Sequence, residues 1–187
     1  MSKITLAPDV SGTGTFTIAA PDSSTDRTLT LPDNSGTLLS NASTAGFPAG
    51  SVLQVVNGAM SGSTTTTSTS YVDATGASAT ITPSSASSKI LVLIDGQYAT
   101  YSVAIEGRGN FRVLRGGTTL RDGLSFGWYF SPDITSDGNT YGSIAYNELD
   151  SPSSTSPITY KVQFQMIGGA NQVLLTKVSV TLMEIAA

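Results

Sequence analysis

Beyond Gly50, apolar and polar residues alternate along most of the chain with a period of two, which predicts strands. The clearest case is Thr159–Met166: Tyr160, Val162, Phe164 and Met166 fall on one face, and Thr159, Lys161, Gln163 and Gln165 on the other. Val173–Ile185 repeats the pattern, with Val178, Val180 and Leu182 set against Lys177, Ser179 and Thr181, and so does Ala77–Thr82. Lys89–Asp95 departs from it. Its run Ile90-Leu91-Val92-Leu93-Ile94 is apolar on both faces and is expected at the centre of the fold. Further strands are predicted over Ser51–Asn57, Gln97–Glu106, Asn110–Arg115, Thr118–Arg121, Phe126–Phe130 and Thr140–Asn147, with a hairpin turn at Gly116-Gly117. The Ser/Thr run at 61–70 reads as a loop or a solvent-facing edge. No segment sustains a helical period. About eight strands with frequent turns predict an all-β chain with a single jelly-roll-type antiparallel β-sandwich over 49–187.

Residues 1–48 read differently. Short strand-like pieces, Thr13–Ala19, Arg27–Leu31 and Gly36–Leu39, are separated by the turn signals Pro21-Asp22-Ser23 and Pro32-Asp33-Asn34-Ser35-Gly36. Their apolar side chains, Phe16, Ile18, Leu29, Leu31, Leu38 and Leu39, are too few to offset a backbone ordering cost of roughly 1–2 kcal/mol per residue. An extended N-terminal arm is therefore expected, which needs a partner surface to order it. The six apolar residues are the candidate contacts for attachment or oligomerisation.

Composition sharpens the class. Charged residues make up 12% of the chain, about half the usual share. The polar role passes to 27 Ser and 26 Thr, which favour turns and strands over helix. The net charge of −4, with nine Lys plus Arg spread along the chain, argues against a nucleic-acid partner, because displacing counterions from phosphates needs a basic face. The N-terminus lacks the apolar run of a signal peptide, and Val173–Ala187 is too short and too charged to span a bilayer. A soluble chain without membrane insertion is expected.

With no His and no Cys, His-based general bases, triads and thiolate chemistry are excluded, and any metal site would have to be all-oxygen. Asp133, Asp137 and Asn139 miss the calcium-loop spacing and read as a turn. Glu148 and Asp150 could pair as glycosidase carboxylates, but a solvated loop rim is the plainer reading. Gly12-Thr-Gly14 precedes no helix and is no phosphate loop, and Asn41-Ala42-Ser43 is a chance sequon. No enzymatic activity, cofactor or metal is expected. The aromatics Trp128, Tyr129 and Phe130, with Tyr141 and Tyr146 near them, fit a carbohydrate or receptor platform, or else core and subunit-interface packing. Packing is preferred, because consecutive aromatics in a strand point both ways. Trp128, Tyr129, Phe130 and Tyr141 are the candidate surface or interface aromatics.

The stretch Thr28-Leu-Thr-Leu-Pro-Asp-Asn-Ser-Gly-Thr-Leu-Leu39, preceded by Gly12-Thr-Gly-Thr-Phe16, resembles a module of tailed-bacteriophage fibre and decoration proteins. Gly50-Ser-Val-Leu-Gln-Val-Val56, Pro83-Ser-Ser-Ala-Ser-Ser-Lys-Ile-Leu-Val92, Leu149-Asp-Ser-Pro152 and Thr159-Tyr-Lys-Val162 resemble the C-terminal β domain of cyanophage and marine-phage virion proteins. The resemblance implies a homotrimeric virion component, made in the host cytoplasm and carried on the outer surface of the capsid. Two placements follow. A cement or decoration protein would lay residues 1–48 on the major capsid protein, whereas a tail or head fibre would use them as a stalk and the head to bind a host cell-surface receptor or glycan. Length favours cement, because 48 residues leave no room for a long stalk. A host-surface or sugar-binding module unconnected to a virion is the third reading.

Overall fold

The computed structural model describes residues 47–102, 106–129, 138–168 and 172–187, together with 11–15, 17, 24–26 and 28. Of the candidate residues, Phe16, Ile18, Leu29, Leu31, Leu38, Leu39 and Phe130 lie outside these, as do the side chains of Trp128 and Tyr129. The chain divides into two units, Met1–Leu38 and Leu39–Ala187, and every strand below belongs to the second.

The described residues form nine strands: β1 (Val52–Ala59), β2 (Ser63–Thr66), β3 (Val72–Ile81), β4 (Lys89–Ser102), β5 (Glu106–Arg115), β6 (Thr118–Tyr129), β7 (Gly138–Asp150), β8 (Ile158–Ile167) and β9 (Gln172–Ile185). Among the described residues all pairings are antiparallel. One sheet has the order β1-β9-β4-β7, with β2 continuing the β1 edge along β9, and the other has the order β3-β8-β5-β6.

The pairing is nested. β5 and β6 form the inner hairpin, and around it close β4 with β7, β3 with β8, and β1 and β2 with β9. The cross-pairs β4 with β9 and β5 with β8 then roll this long hairpin into two facing sheets. That is the jelly roll, two Greek keys in a double sheet. Gly116 opens the inner turn with φ 56°, the positive value a two-residue hairpin requires.

The period-two faces predicted from sequence meet between the sheets. Tyr160, Val162 and Phe164 of β8 and Val178, Val180 and Leu182 of β9 are fully buried, joined by Ile81, Ile90, Val92 and Val113. Each such side chain contributes roughly 1.5–3 kcal/mol on burial. The strands run longer than the pattern suggested: Lys89–Asp95 and Gln97 onward are one strand to Ser102, and Thr118–Arg121 and Phe126–Tyr129 are one strand. The Ser/Thr run supplies a short edge strand, β2.

Two polar constellations tie the sheets together from inside. Asp150, at the end of β7, is buried; it accepts a bidentate pair from Arg115 Nη1 of β5 (2.7 and 2.9 Å) and a bond from the Tyr160 hydroxyl of β8 (2.6 Å). Burial, and then the bond to Asp150, push the Tyr160 phenol far above its ordinary value. Glu184 of β9 is fully buried and accepts from Ser84 N and Oγ (both 2.7 Å) and from Gln54 Nε2 (2.6 Å). Burial alone would raise its carboxyl, but the bonds from Ser84, Gln54 and Ser88 outweigh that and hold it below the usual range.

Candidate functional site

The two outer faces of the sandwich are built differently. On the β3-β8-β5-β6 sheet the long polar side chains are cross-bonded. Lys161 Nζ lies 2.9 Å from Asp73 Oδ1, Gln163 Nε2 donates to the same oxygen at 2.7 Å, and Arg112 Nε donates to Gln163 Oε1 at 2.8 Å. The Arg112 guanidinium sits 4.2 Å from the centre of the Tyr71 ring, and the Tyr71 hydroxyl donates to Asp122 Oδ1 at 2.5 Å. Lys161 and Gln163 hold the Asp73 carboxyl below its usual range, and the Tyr71 hydroxyl does the same for Asp122. The polar groups of this face already bond to one another.

The outer face of the β1-β9-β4-β7 sheet has two ends. At one, Val55, Met183, Leu91 and Leu149 are direct cross-strand partners and form an apolar row across all four strands. Val52 and Ile185 pair beside them. Val52 is 52% exposed, Val55 55% and Leu149 51%. The apolar run of β4 is thus covered on one side only: Ile90, Val92 and Ile94 enter the core, while Leu91 and Leu93 face outward. The middle of the face is mixed, with Asn57, Thr181, Leu93 and Asn147 in one row and Ala59, Ser179, Asp95 and Ala145 in the next.

The other end holds a groove of about 520 Å³. Ala99 sits at its centre between its cross-strand partners Leu174 and Tyr141, and the next row brings Gln97, Thr176 and Ser143 together. Tyr141 is 68% exposed and meets Tyr101 edge-on, with ring centroids 6.4 Å apart and planes at 87°. Its bond to the Tyr101 hydroxyl raises the Tyr101 phenol. Lys177 is the charged residue among those lining the groove. It has φ 53°, in the left-handed region that favours glycine. The cause is a β-bulge: Asp95 pairs with Ser179 and Gln97 with Thr176, so Lys177 and Val178 together oppose Gly96. A methyl on Gly96 would lie 2.8 Å from Val178 Cγ2, so the bulge requires glycine opposite it.

Of the sequence candidates, Tyr141 lies in this groove, whereas Trp128 and Tyr129 belong to β6 at the edge of the other sheet. Glu148 and Asp150 share the inward face of β7, as a two-residue spacing predicts, but they do not form a solvated rim. Asp150 is bound to Arg115 and Tyr160, and Glu148 accepts from the Tyr146 hydroxyl with Arg121 3.6 Å away. Asp133 and Asp137 lie outside the described residues, and no carboxylate cluster able to hold a metal occurs among the described ones. Tyr101 and Lys177 were not singled out from sequence. Tyr101 meets Tyr141 only through the β4–β7 register, and the pattern that places Lys177 outward gives no sign of the bulge.

No family model matches the sequence. No curated protein matches it either. Among solved structures the chain is similar to a structure of Eiger TNF from S. frugiperda, at 9% identity and a TM-score of 0.43, over 71% of this chain and 92% of that one.

Proposed function

We propose that the chain is a non-enzymatic structural protein of a bacteriophage particle, a homotrimeric cement protein. Its jelly-roll head assembles through the apolar end of the β1-β9-β4-β7 sheet, and residues 1–48 bind the major capsid protein. The observation that carries the assembly reading is the row Val55–Met183–Leu91–Leu149 with Val52 and Ile185 beside it. A two-layer sandwich ordinarily turns polar side chains outward on such strands, and a contiguous exposed apolar patch marks an interaction surface. The particle itself is supplied by the sequence resemblance.

The decisive measurement is copy number in purified particles, together with light scattering of the isolated protein. Cement predicts about one copy per capsid subunit, and particles lacking the protein should be fragile yet still adsorb to cells. A few trimers per particle, with adsorption lost on deletion, would replace cement by fibre. That second reading, a head that binds a host receptor or glycan, is favoured by the groove around Tyr101 and Tyr141.

A further inference from the structure

We infer that the groove beside Tyr101 and Tyr141 is a binding site for an acidic saccharide, a pyranose carrying one carboxylate. The volume of about 520 Å³ falls within the roughly 300–1,000 Å³ of small-molecule sites. Tyr141 is largely exposed to solvent, and its edge-on contact with Tyr101 restrains that ring. An exposed, fixed tyrosine face suits the apolar C–H face of a sugar ring, and the hydroxyl tip suits its rim.

Across the floor from this pair, Gln97, Ser143 and Thr176 form one cross-strand row. Amide and hydroxyl groups both donate and accept, as sugar hydroxyls do. Lys177 adds an ammonium that takes part in none of the ion pairs Arg115–Asp150, Arg121–Glu148 and Lys161–Asp73. It is held in the groove lining by a left-handed backbone that a lysine does not adopt without strain, a kind of conformation that clusters at ligand sites.

The charge count selects the ligand class. One ammonium in the lining matches one carboxylate, and a charge-assisted bond of this kind is about twice as strong as a neutral one. A nucleotide would bring a phosphate of greater charge to the same single cation, and the perpendicular tyrosines leave no parallel slot for a base. The site lies on the same sheet as the apolar row but is separated from it by the two rows that contain Thr181 and Ser179, so assembly through that row leaves the groove open.

The test uses the full-length protein and calorimetric titration with trigalacturonate, its methyl ester, 3′-sialyllactose, lactose and a nucleoside monophosphate. Saturable binding of at least one acidic sugar is expected, with preference for the acid over its neutral counterpart. Tyr141→Ala should weaken binding about tenfold or more. Lys177→Gly fits the left-handed backbone, so it should leave the thermal midpoint within a few degrees while erasing the preference for acid. Lys177→Arg should retain that preference. Met183→Glu, which targets the apolar row, should bind sugar normally, so failure of the assembly reading and failure of this one are distinguishable. The inference is overturned if no acidic sugar binds at about 10 mM, if binding survives both Tyr141→Ala and Lys177→Gly unchanged, or if the nucleotide binds more tightly than any sugar.

Discussion

On one outer face of the sandwich, Lys161, Asp73, Gln163, Arg112, Tyr71 and Asp122 run hand to hand, each long polar side chain meeting the next. On the other, Val55, Met183, Leu91 and Leu149 line up across four strands with Val55 and Leu149 about half exposed, and two mixed rows further on the surface sinks into the tyrosine groove. Both sheets are antiparallel, so the difference in their exteriors lies in which side chains occupy the outward positions. A face whose polar groups bond to each other gains little from a partner, because any contact must first break those bonds. A face of uncovered aliphatic side chains gains from removing them from water. The contrast teaches that the two layers share a core but divide the work on their exteriors.

The sharpest way to break the comparison is to charge the apolar face. If the proposed assembly through this row holds, Met183→Glu should dissociate it with a loss of affinity of about a thousandfold, while circular dichroism retains its strand signal. Light scattering across a dilution series reads the outcome, and an unchanged mass would remove this face from the interface.

Changes between the layers should instead unfold the head. Asp150→Ala leaves the Arg115 guanidinium and the buried Tyr160 hydroxyl without their acceptor and should cost about 3 kcal/mol, read as a fall in the chemical-denaturation midpoint. Glu184 contributes in a pH-dependent way. Its folded value lies below the ordinary 4.5, so its contribution is present above that value and is lost as pH falls through the lowered one. Thermal midpoints should therefore drop on acidification below about pH 4.5. Glu184→Gln should start lower at neutral pH by about 2 kcal/mol and lose less on acidification.

The smallest effect belongs to the polar face. Arg112→Ala removes the bond to Gln163 and the contact with Tyr71, and should cost about 1 kcal/mol with no change in oligomer mass. A change in mass here, matching that of Met183→Glu, would erase the distinction between the faces.

Much of this fold can be read along the chain because each sheet buries one face, and burial imprints a period of two. Tyr160, Val162 and Phe164 appear in the sequence as they do in the core. The run Ile90–Ile94 shows the limit. Apolarity on both faces predicts central burial, and β4 is indeed flanked by β9 and β7, but among the described residues no third layer covers Leu91 and Leu93, which are half-buried. Periodicity reports that a side chain avoids water, not which molecule shields it. Glu148 and Asp150 failed for a related reason: a proline loop follows them, yet their partners Arg121, Arg115 and Tyr160 come from strands distant in sequence. The groove was half visible, since Tyr141 stood out and Tyr101 did not, and their meeting depends on a register that no local pattern encodes.

β9 pairs with β1, β2 and β4, so one strand is the partner that three earlier strands wait for. Until Gln172–Ile185 leaves the ribosome, β1 and β2 lack the strand they pair with among the described residues, and their contact with β9 spans nearly the whole head. Loop closure over such separations makes folding slow, and the inner β5–β6 hairpin is the natural place for it to begin. During that interval Val52, Val55 and Leu91 are exposed on strands whose edges are also open, a combination prone to wrong pairing. Completion of the β1-β9-β4-β7 sheet therefore depends on the prompt arrival of a single fourteen-residue strand.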